Sequence, residues 1–504
     1  MRAALLPPPC DDHPGSSALP SFPAPAMVST QRFLLLLASI LCVALFIHLY
    51  DQADILHPHR HIIPSPDFHD DVVPPNNGTL ASHQLDSLDD ACEGLDGLEE
   101  IVIILKTGAS EIYSKLPIHF ATTFACRPDF LVYSDVEQDF GPVKVHDALG
   151  MVSDELKGAD EFAQYRRLLS HVGKGGDAAQ FKGEQSWKVD KYKFLPTISD
   201  AYDRFGQSKR WFVFMEADTY LSMHNLLLWL RELDPKSSIY GGAQILIGPT
   251  EFAHGGSGFL LSASSMKALA EGYRADPQGW ERRLSRECCG DKILGDVLMA
   301  ADPPVGVLRS FPIIQGETPS SLDWSPVHWC MPAVSWHHAD ALAIDKLWNF
   351  ERQWNKRKGI ETPILFRDYY AAFVQPRLAA ADWKMRAWDN LSKDWTYTAQ
   401  DHPSNFADAH IDPAACERAC RDRATCLQWA WRPGSCRGDK VVRLGWALDS
   451  RPELGSADDR VVKAGGEGDD EALSGWLEDR IEEYKRKFDP CGQRSYWITR
   501  NKNS

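Results

Sequence analysis

The spacing of hydrophobic and polar positions changes several times along this chain, and each change marks a predicted element. Phe33 to Tyr50 is apolar apart from Ser39 and His48. At helical rise such a run spans roughly 27 Å, just under the ~30 Å hydrocarbon core of a bilayer, which predicts one membrane span over 33–50. Arg32 precedes it while Asp51 and Asp54 follow, so the charge asymmetry predicts a cytosolic tail at 1–32 and a lumenal remainder. A cleaved signal peptide read from Met27 is the alternative, although no small-x-small cleavage site follows the run. The next stretch, 51–98, is rich in Pro, His and Asp, shows no sustained apolar period, and reads as a stem.

Beyond the stem the pattern becomes that of an α/β domain, placed at 99–395. Ile101 to Leu105 and Phe130 to Tyr133 are continuous aliphatic or aromatic runs, as buried strands of a parallel sheet require. A helical stretch from Glu111 to Phe124 lies between them, giving a βαβ unit whose ligand would sit at the strand ends, near Lys106, Thr107 and Asp135. A helix is predicted over 190–205, leading into the strand Trp211 to Met215, which ends in Glu216-Ala217-Asp218. After it Leu221 to Leu233 repeats Leu and Trp at helical spacing until Asp234-Pro235, so Trp229 belongs to the core.

Charge narrows the partners. A formal net charge of -16 without any Lys/Arg block excludes a nucleic-acid surface. An acidic chain can still hold a nucleotide where a metal or a few lysines offset the phosphates. Glu216 and Asp218 at a strand-to-loop exit can turn to one hard cation, Mn²⁺ or Mg²⁺, of the kind that bridges two phosphates; taken alone, the triplet reads more simply as a solvated turn. Ten cysteines lie beyond the span, an even number that fits disulfides in an oxidising lumen, as do the sequons at Asn77 and Asn390.

Several segments then follow in a fixed order: Trp211-Phe212, Glu216 to Tyr220, His254-Gly255-Gly256-Ser257-Gly258-Phe259, Asp291 within Cys288 to Gly295, and Val334-Ser335-Trp336-His337-His338. This order resembles the Fringe-type and core 1 galactosyltransferase-like enzymes of glycosyltransferase family 31. It is nearest to fungal members, which share Lys106 to Ala109 and Asp190 to Pro196. The resemblance covers roughly residues 100 to 345. It implies a GT-A type nucleotide-diphospho-sugar transferase fold, a UDP-sugar donor, a glycan or glycoprotein acceptor, inverting transfer to a β-linkage with β-1,3 as the candidate position, and a type II protein of the Golgi or ER membrane.

Carried over by position, the resemblance makes Glu216, Asp218 and His337 metal ligands and Asp291 the base. Lys106, Thr107, Asp135, Ala217, Gly255, Gly256 and Gly258 would line the donor. Ala217 and Gly290 replace family carboxylates, and His338 an aromatic residue. Asp296 is a local rival to Asp291, but five residues along a helix is about 140° of rotation, so the two cannot face one site. A non-catalytic glycan-binding scaffold and a glycoside hydrolase are the competing classes; acids on one strand suit a metal better than the two sides of a sugar.

From 396 to 504 the composition changes, and Cys416, Cys420, Cys426 and Cys436 cluster near Trp429 and Trp431. The spacing resembles a PAN/apple-like module stapled by disulfides. Clustered cysteines can also hold zinc, but no Cys-x-x-Cys pair is present.

Overall fold

A computed structural model describes residues 92–183, 188–400, 406, 408–449, 469–491 and 496–499. The predicted span, the stem and the Asn77 sequon lie outside the described residues. Among the described residues no helix is long and apolar enough to cross a membrane.

The first half builds an eight-stranded sheet from β1 (Ile101–Lys106), β2 (Asp129–Ser134), β3 (Gln138–Phe140), β4 (Val143–Asp147) and β5 (Trp211–Glu216), joined later in the chain by three further strands. Four short or hairpin strands come next: β6 (Tyr220–Leu221), β7 (Tyr240–Gly242), β8 (Gln244–Ile247) and β9 (Thr250–Ala253). They are followed by β10 (Phe259–Ser262), β11 (Leu308–Arg309) and β12 (Ser335–Trp336). The sheet order is β11-β7-β10-β5-β1-β2-β4-β3, with β5, β1, β2 and β4 parallel and β10 antiparallel to β5.

Every residue of β1 is buried because both faces of the sheet are covered. Val102, Ile104, Phe212 and Phe214 point into one core, shared with the helices Phe194–Phe205, Ala263–Ala275 and Gly290–Met299. Ile103, Leu105, Val213 and Met215 point into the other, beneath the helix Met223–Arg231, where Trp229 is fully buried. Two predicted helices are shorter than their pattern. Pro117 divides the 111–124 stretch into Ile112–Lys115 and Pro117–Ala121, since a proline has no amide to continue the first helix. Residues 190–193 form a 3₁₀ turn ahead of Phe194–Phe205.

A second, five-stranded sheet is built, in spatial order, from Lys384–Arg386, Leu473–Trp476, Gln428–Arg432, Ser435–Asp439 and Trp395–Thr398. It starts at Lys384, ahead of residue 396 where the composition changes, because its opening strand is short and carries no cysteine to announce it. Nor is it a detached module. Trp476, Val442 and Leu444 share a core with Trp324, Trp336 and Phe366, and Cys330–Cys491 adds a covalent tie between the two halves.

All ten cysteines among the described residues are paired: Cys92–Cys126, Cys288–Cys289, Cys330–Cys491, Cys416–Cys436 and Cys420–Cys426. The sequon at Asn390 does not meet the expectation of a glycan site. Its side chain is fully buried, Nδ2 donates to the Trp429 carbonyl at 2.9 Å, and Oδ1 accepts from Ser392 Oγ at 2.7 Å. The fold leaves no room for a glycan on that nitrogen.

Candidate active site

Two features of the main chain bring the chemistry together. Strands β6 and β12 pair antiparallel, Tyr220 opposite Trp336 and Leu221 opposite Ser335, which sets Asp218 and His337 side by side just outside this small ladder. The Ala339 N–H donates to the Asp218 carbonyl at 2.8 Å and closes the turn. Ser222 caps the helix Met223–Arg231 by accepting from the Asn225 N–H at 3.2 Å, so the loop carrying Asp218 leaves a fixed strand and enters a fixed helix.

Asp218, His337 and His338 each offer one ligand atom, and these atoms lie within 4.8 Å of one another. Asp218 Oδ1 is 3.4 Å from His337 Nε2. Both Asp218 Oδ1 and His337 Nδ1 are buried without a hydrogen-bond partner. Orphaned buried polar atoms are rare unless an ion or ligand completes them, and one carboxylate with two imidazoles is a donor set that Mn²⁺ accepts. These residues therefore fit a divalent cation. Burial alone would raise the Asp218 pKa, but the close contact with His337, with the charges of Lys115 and His338, outweighs it and holds the carboxyl well below the usual range. His338 is exposed at the surface of the cluster; desolvation by the protein around it, aided by the His337 charge, lowers its pKa and so favours the neutral imidazole that a cation would need.

Glu216 is not part of this cluster. As the last residue of β5 it stands in register with Lys106 at the end of β1, and the two pair at 3.0 Å. The register of the parallel pair thus diverts the first acid of the triplet to a lysine. Ala217 is buried, and its carbonyl accepts from His119 Nε2 at 2.9 Å. Lys106 also pairs with Asp190; burial disfavours its charge, yet the two acids raise its pKa above the usual range. Lys193 lies 3.2 Å from Asp190 and 3.8 Å from Asp135, and donates to the Thr107 carbonyl at 3.0 Å. Asp135 accepts from the Ala109 N–H at 2.5 Å. Thr107 Oγ1 is buried with no partner, a third such atom, at the strand end where the βαβ pattern places a ligand.

The glycine loop closes the site through contact distances. A Cβ on Gly256 would lie 2.3 Å from His337, and one on Gly255 2.7 Å from the Phe194 ring, so neither position admits a side chain without moving the site. Gly258 has φ +82°, a backbone region that favours glycine. Asp291, at the start of the helix Gly290–Met299, fastens the loop: Oδ2 accepts from the Gly255 N–H at 2.8 Å and Oδ1 from the Lys292 N–H at 2.9 Å. Burial raises the Asp291 pKa, opposed by His254 and the two N–H groups. Asp296 lies on another face, bonded to Thr250 at 2.8 Å and facing Arg283 and Lys292. A Cβ at Gly290 would lie 2.2 Å from the Lys191 carbonyl, so the backbone path leaves no space for the family's glutamate.

Reasoning from sequence passed over Lys115, His119, Lys193 and His254. Lys115 Nζ bonds Asp218 Oδ2 at 3.2 Å and Glu111 at 2.7 Å. His254 Nδ1 contacts Ser257 Oγ at 2.7 Å, and its ring meets that of His337 edge to face at 5.7 Å. The signal for Lys115 and His119 is their i, i+4 spacing in a stretch facing the strand ends. Nothing in the local pattern marks Lys193 apart from Lys191.

Among curated proteins no sequence matches this chain. Residues 178–300, which carry Asp190, Glu216, Asp218, the glycine loop and Asp291, match the Fringe-like family model, and that match supports a glycosyltransferase of the Fringe kind.

Proposed function

We propose that the chain is a divalent-metal-dependent, inverting glycosyltransferase that moves a sugar from a UDP-sugar to an acceptor hydroxyl on a glycan or glycoprotein, forming a β-linkage, with β-1,3 as the candidate position. The observation that carries this reading is the cluster Asp218, His337 and His338, with two orphaned buried atoms, beside a glycine loop fastened by Asp291 within the Fringe-like segment. Mn²⁺ or Mg²⁺ held there would supply positive charge for the departing diphosphate.

The chain's own residues do the rest. Asp218 stays ionised and available to a cation. Lys106, Lys193, Asp135 and Thr107 form a polar floor at the ends of β1 and β2 for the nucleotide. Gly255 and Gly256 allow the sugar to approach the backbone. Asp291 takes the acceptor's hydroxyl proton; each of its oxygens accepts one N–H and keeps a free lone pair, and burial makes the carboxylate more basic than a solvated aspartate.

Five disulfides and the predicted span at 33–50 support a type II protein of the Golgi or ER membrane with its catalytic part lumenal. The cysteine spacing of the C-terminal region, which resembles a PAN/apple-like module, supports acceptor or partner contact as its role. The test is Mn²⁺-dependent release of UDP from a panel of UDP-sugars by the purified protein beside Asp218→Ala. Release from one sugar, reduced on the order of 10³-fold in the variant, is expected, since the metal is worth several kcal/mol. Absence of both UDP binding and release across the panel would leave a glycan-binding scaffold.

A further inference from the structure

We propose that Lys115 couples metal binding to donor binding: its ammonium neutralises Asp218 in the empty site and passes to the donor's diphosphate when a divalent cation takes Asp218. This deepens the reading above and rests on it. The two oxygens of Asp218 have different surroundings. Oδ1 is buried, orphaned and 3.4 Å from His337 Nε2, while Oδ2 accepts from Lys115 Nζ at 3.2 Å. Glu111 holds the same ammonium from the other side at 2.7 Å.

A cation at Oδ1 would thus sit next to a second positive charge, and the two repel. Two roles for Lys115 then pull in opposite directions. It orients Asp218, which would aid the metal, and it repels the metal, which would hinder it. Repulsion dominates, for two reasons. The placement of Asp218 does not depend on Lys115, because the Ala339 N–H holds the Asp218 carbonyl and Thr219 Oγ1 bonds the Gly256 carbonyl at 2.7 Å on the next residue. The side chains of Lys115 and Asp218 are also 31% and 21% exposed, so water can replace the hydrogen bond that removing the lysine would take away. Nothing comparable restores the repulsion.

A diphosphate reverses the balance. Its negative charge attracts both cations, and the flexible lysine stem lets Nζ turn from Asp218 to a phosphate oxygen while Glu111 keeps it local. The empty site therefore holds metal weakly, and the metal and nucleotide strengthen each other's binding, as linkage requires of any coupled pair.

The experiment measures two affinities on the full chain in detergent. The first is for MnCl₂ alone, from the free-Mn²⁺ electron paramagnetic resonance signal; the second is for UDP at saturating Mn²⁺, by calorimetry. Lys115→Met is expected to bind Mn²⁺ about 5-fold tighter, the scale of a part-exposed ion pair. The same variant is expected to bind UDP about 10-fold more weakly, the scale of a charge-assisted phosphate contact. Lys115→Arg should track the wild type. Opposite signs are the signature that a structural role would not produce. If Lys115→Met loses both affinities, or leaves that for Mn²⁺ unchanged, the coupling proposal is overturned. If wild type and Asp218→Ala bind Mn²⁺ equally, the metal reading itself has failed and takes the proposal with it.

Discussion

Buried polar residues occur in both halves of this molecule, but they are satisfied differently. Around the second sheet Asn390, Ser392, Gln428, Asp439 and Arg443 form a closed set. Gln428 Nε2 donates to the Asn390 carbonyl at 2.7 Å and to Ser392 Oγ at 3.1 Å; the Arg443 N–H donates to Gln428 Oε1 at 2.7 Å, and its guanidinium to Asp439 Oδ2 at 2.6 Å. In the candidate active site Thr107 and His337 are buried and Asp218 is part-exposed, yet the buried atoms Asp218 Oδ1, His337 Nδ1 and Thr107 Oγ1 are left without partners. Unsatisfied polar atoms cost stability, and others occur elsewhere among the described residues, Arg423 Nε and Trp446 Nε1 among them; Asp218 Oδ1 and His337 Nδ1 differ in belonging to a carboxylate and imidazole cluster that a cation could complete. Burial alone does not separate the two sets. Free valence does.

If that contrast is sound, substitutions in the open set change activity or binding with modest effects on folding, and those in the closed set do the reverse. The largest expected effect is at Asp291. Asp291→Asn keeps an oxygen for one N–H contact but removes the base, and should lower turnover by about 10²- to 10⁴-fold with donor KM little changed. Were Asp291 only a helix-start residue, the loss would appear in the melting temperature instead. The pH dependence sharpens the point. Burial raises the folded-state pKa of Asp291, so the acid limb of kcat/KM should lie above the ordinary aspartate range and disappear in the variant. The same shift means that the stabilisation from its protonated form is complete below the unfolded-state pKa and is lost as pH rises through the folded value. The stability difference between wild type and Asp291→Asn should therefore shrink over that window.

A comparable free energy, spent on folding rather than chemistry, is expected at Arg443. Arg443→Met leaves the buried Asp439 carboxylate without its cation and should cost about 3–5 kcal/mol in denaturant titration. Turnover per folded molecule should hold. A smaller effect, back in the open set, is expected at Gly256. Gly256→Ala places a methyl against His337 and should weaken Mn²⁺ binding by about 10- to 100-fold, as displaced ligand-orienting contacts do, with little change in melting temperature. Equal losses of stability at Gly256 and Arg443 would erase the distinction between the two sets.

How much of this was legible beforehand depends on whether a feature is local. The strands β1, β2 and β5 stood out because each is a continuous apolar run, and Asp218 because it closes one. The pairing of Glu216 with Lys106 is not legible in the sequence because the two are 110 residues apart, and only the parallel register of β1 and β5 sets them side by side. His338 stands where the resemblance has an aromatic residue, and its place in the cluster with His337 goes with a φ of +57°, a backbone property that no hydropathy pattern carries. The closed network was invisible for the same reason: its members come from 390 to 443, and their pairing depends on how three strands align. The boundary near 396 followed the cysteines, whereas the sheet follows its hydrogen bonds from Lys384.

The smallest effect tests the closed set at its most misleading member. Asn390-Leu391-Ser392 satisfies the sequon rule, yet Asn390 Nδ2 is bonded to the Trp429 carbonyl and Ser392 Oγ to Asn390 Oδ1. Ser392→Ala removes that hydroxyl and the acceptor it gives Gln428 Nε2, at a cost of about 1 kcal/mol, because a buried hydrogen bond is lost but the cavity is small. Since the folded network has no place for a glycan, the wild-type and variant proteins made in a eukaryotic secretory pathway should show the same mass shift on endoglycosidase treatment. A shift present in the wild type and missing from the variant would mean that Asn390 is modified before this network forms. In that event the second sheet could not close as described, and its buried polar residues would belong with the open set.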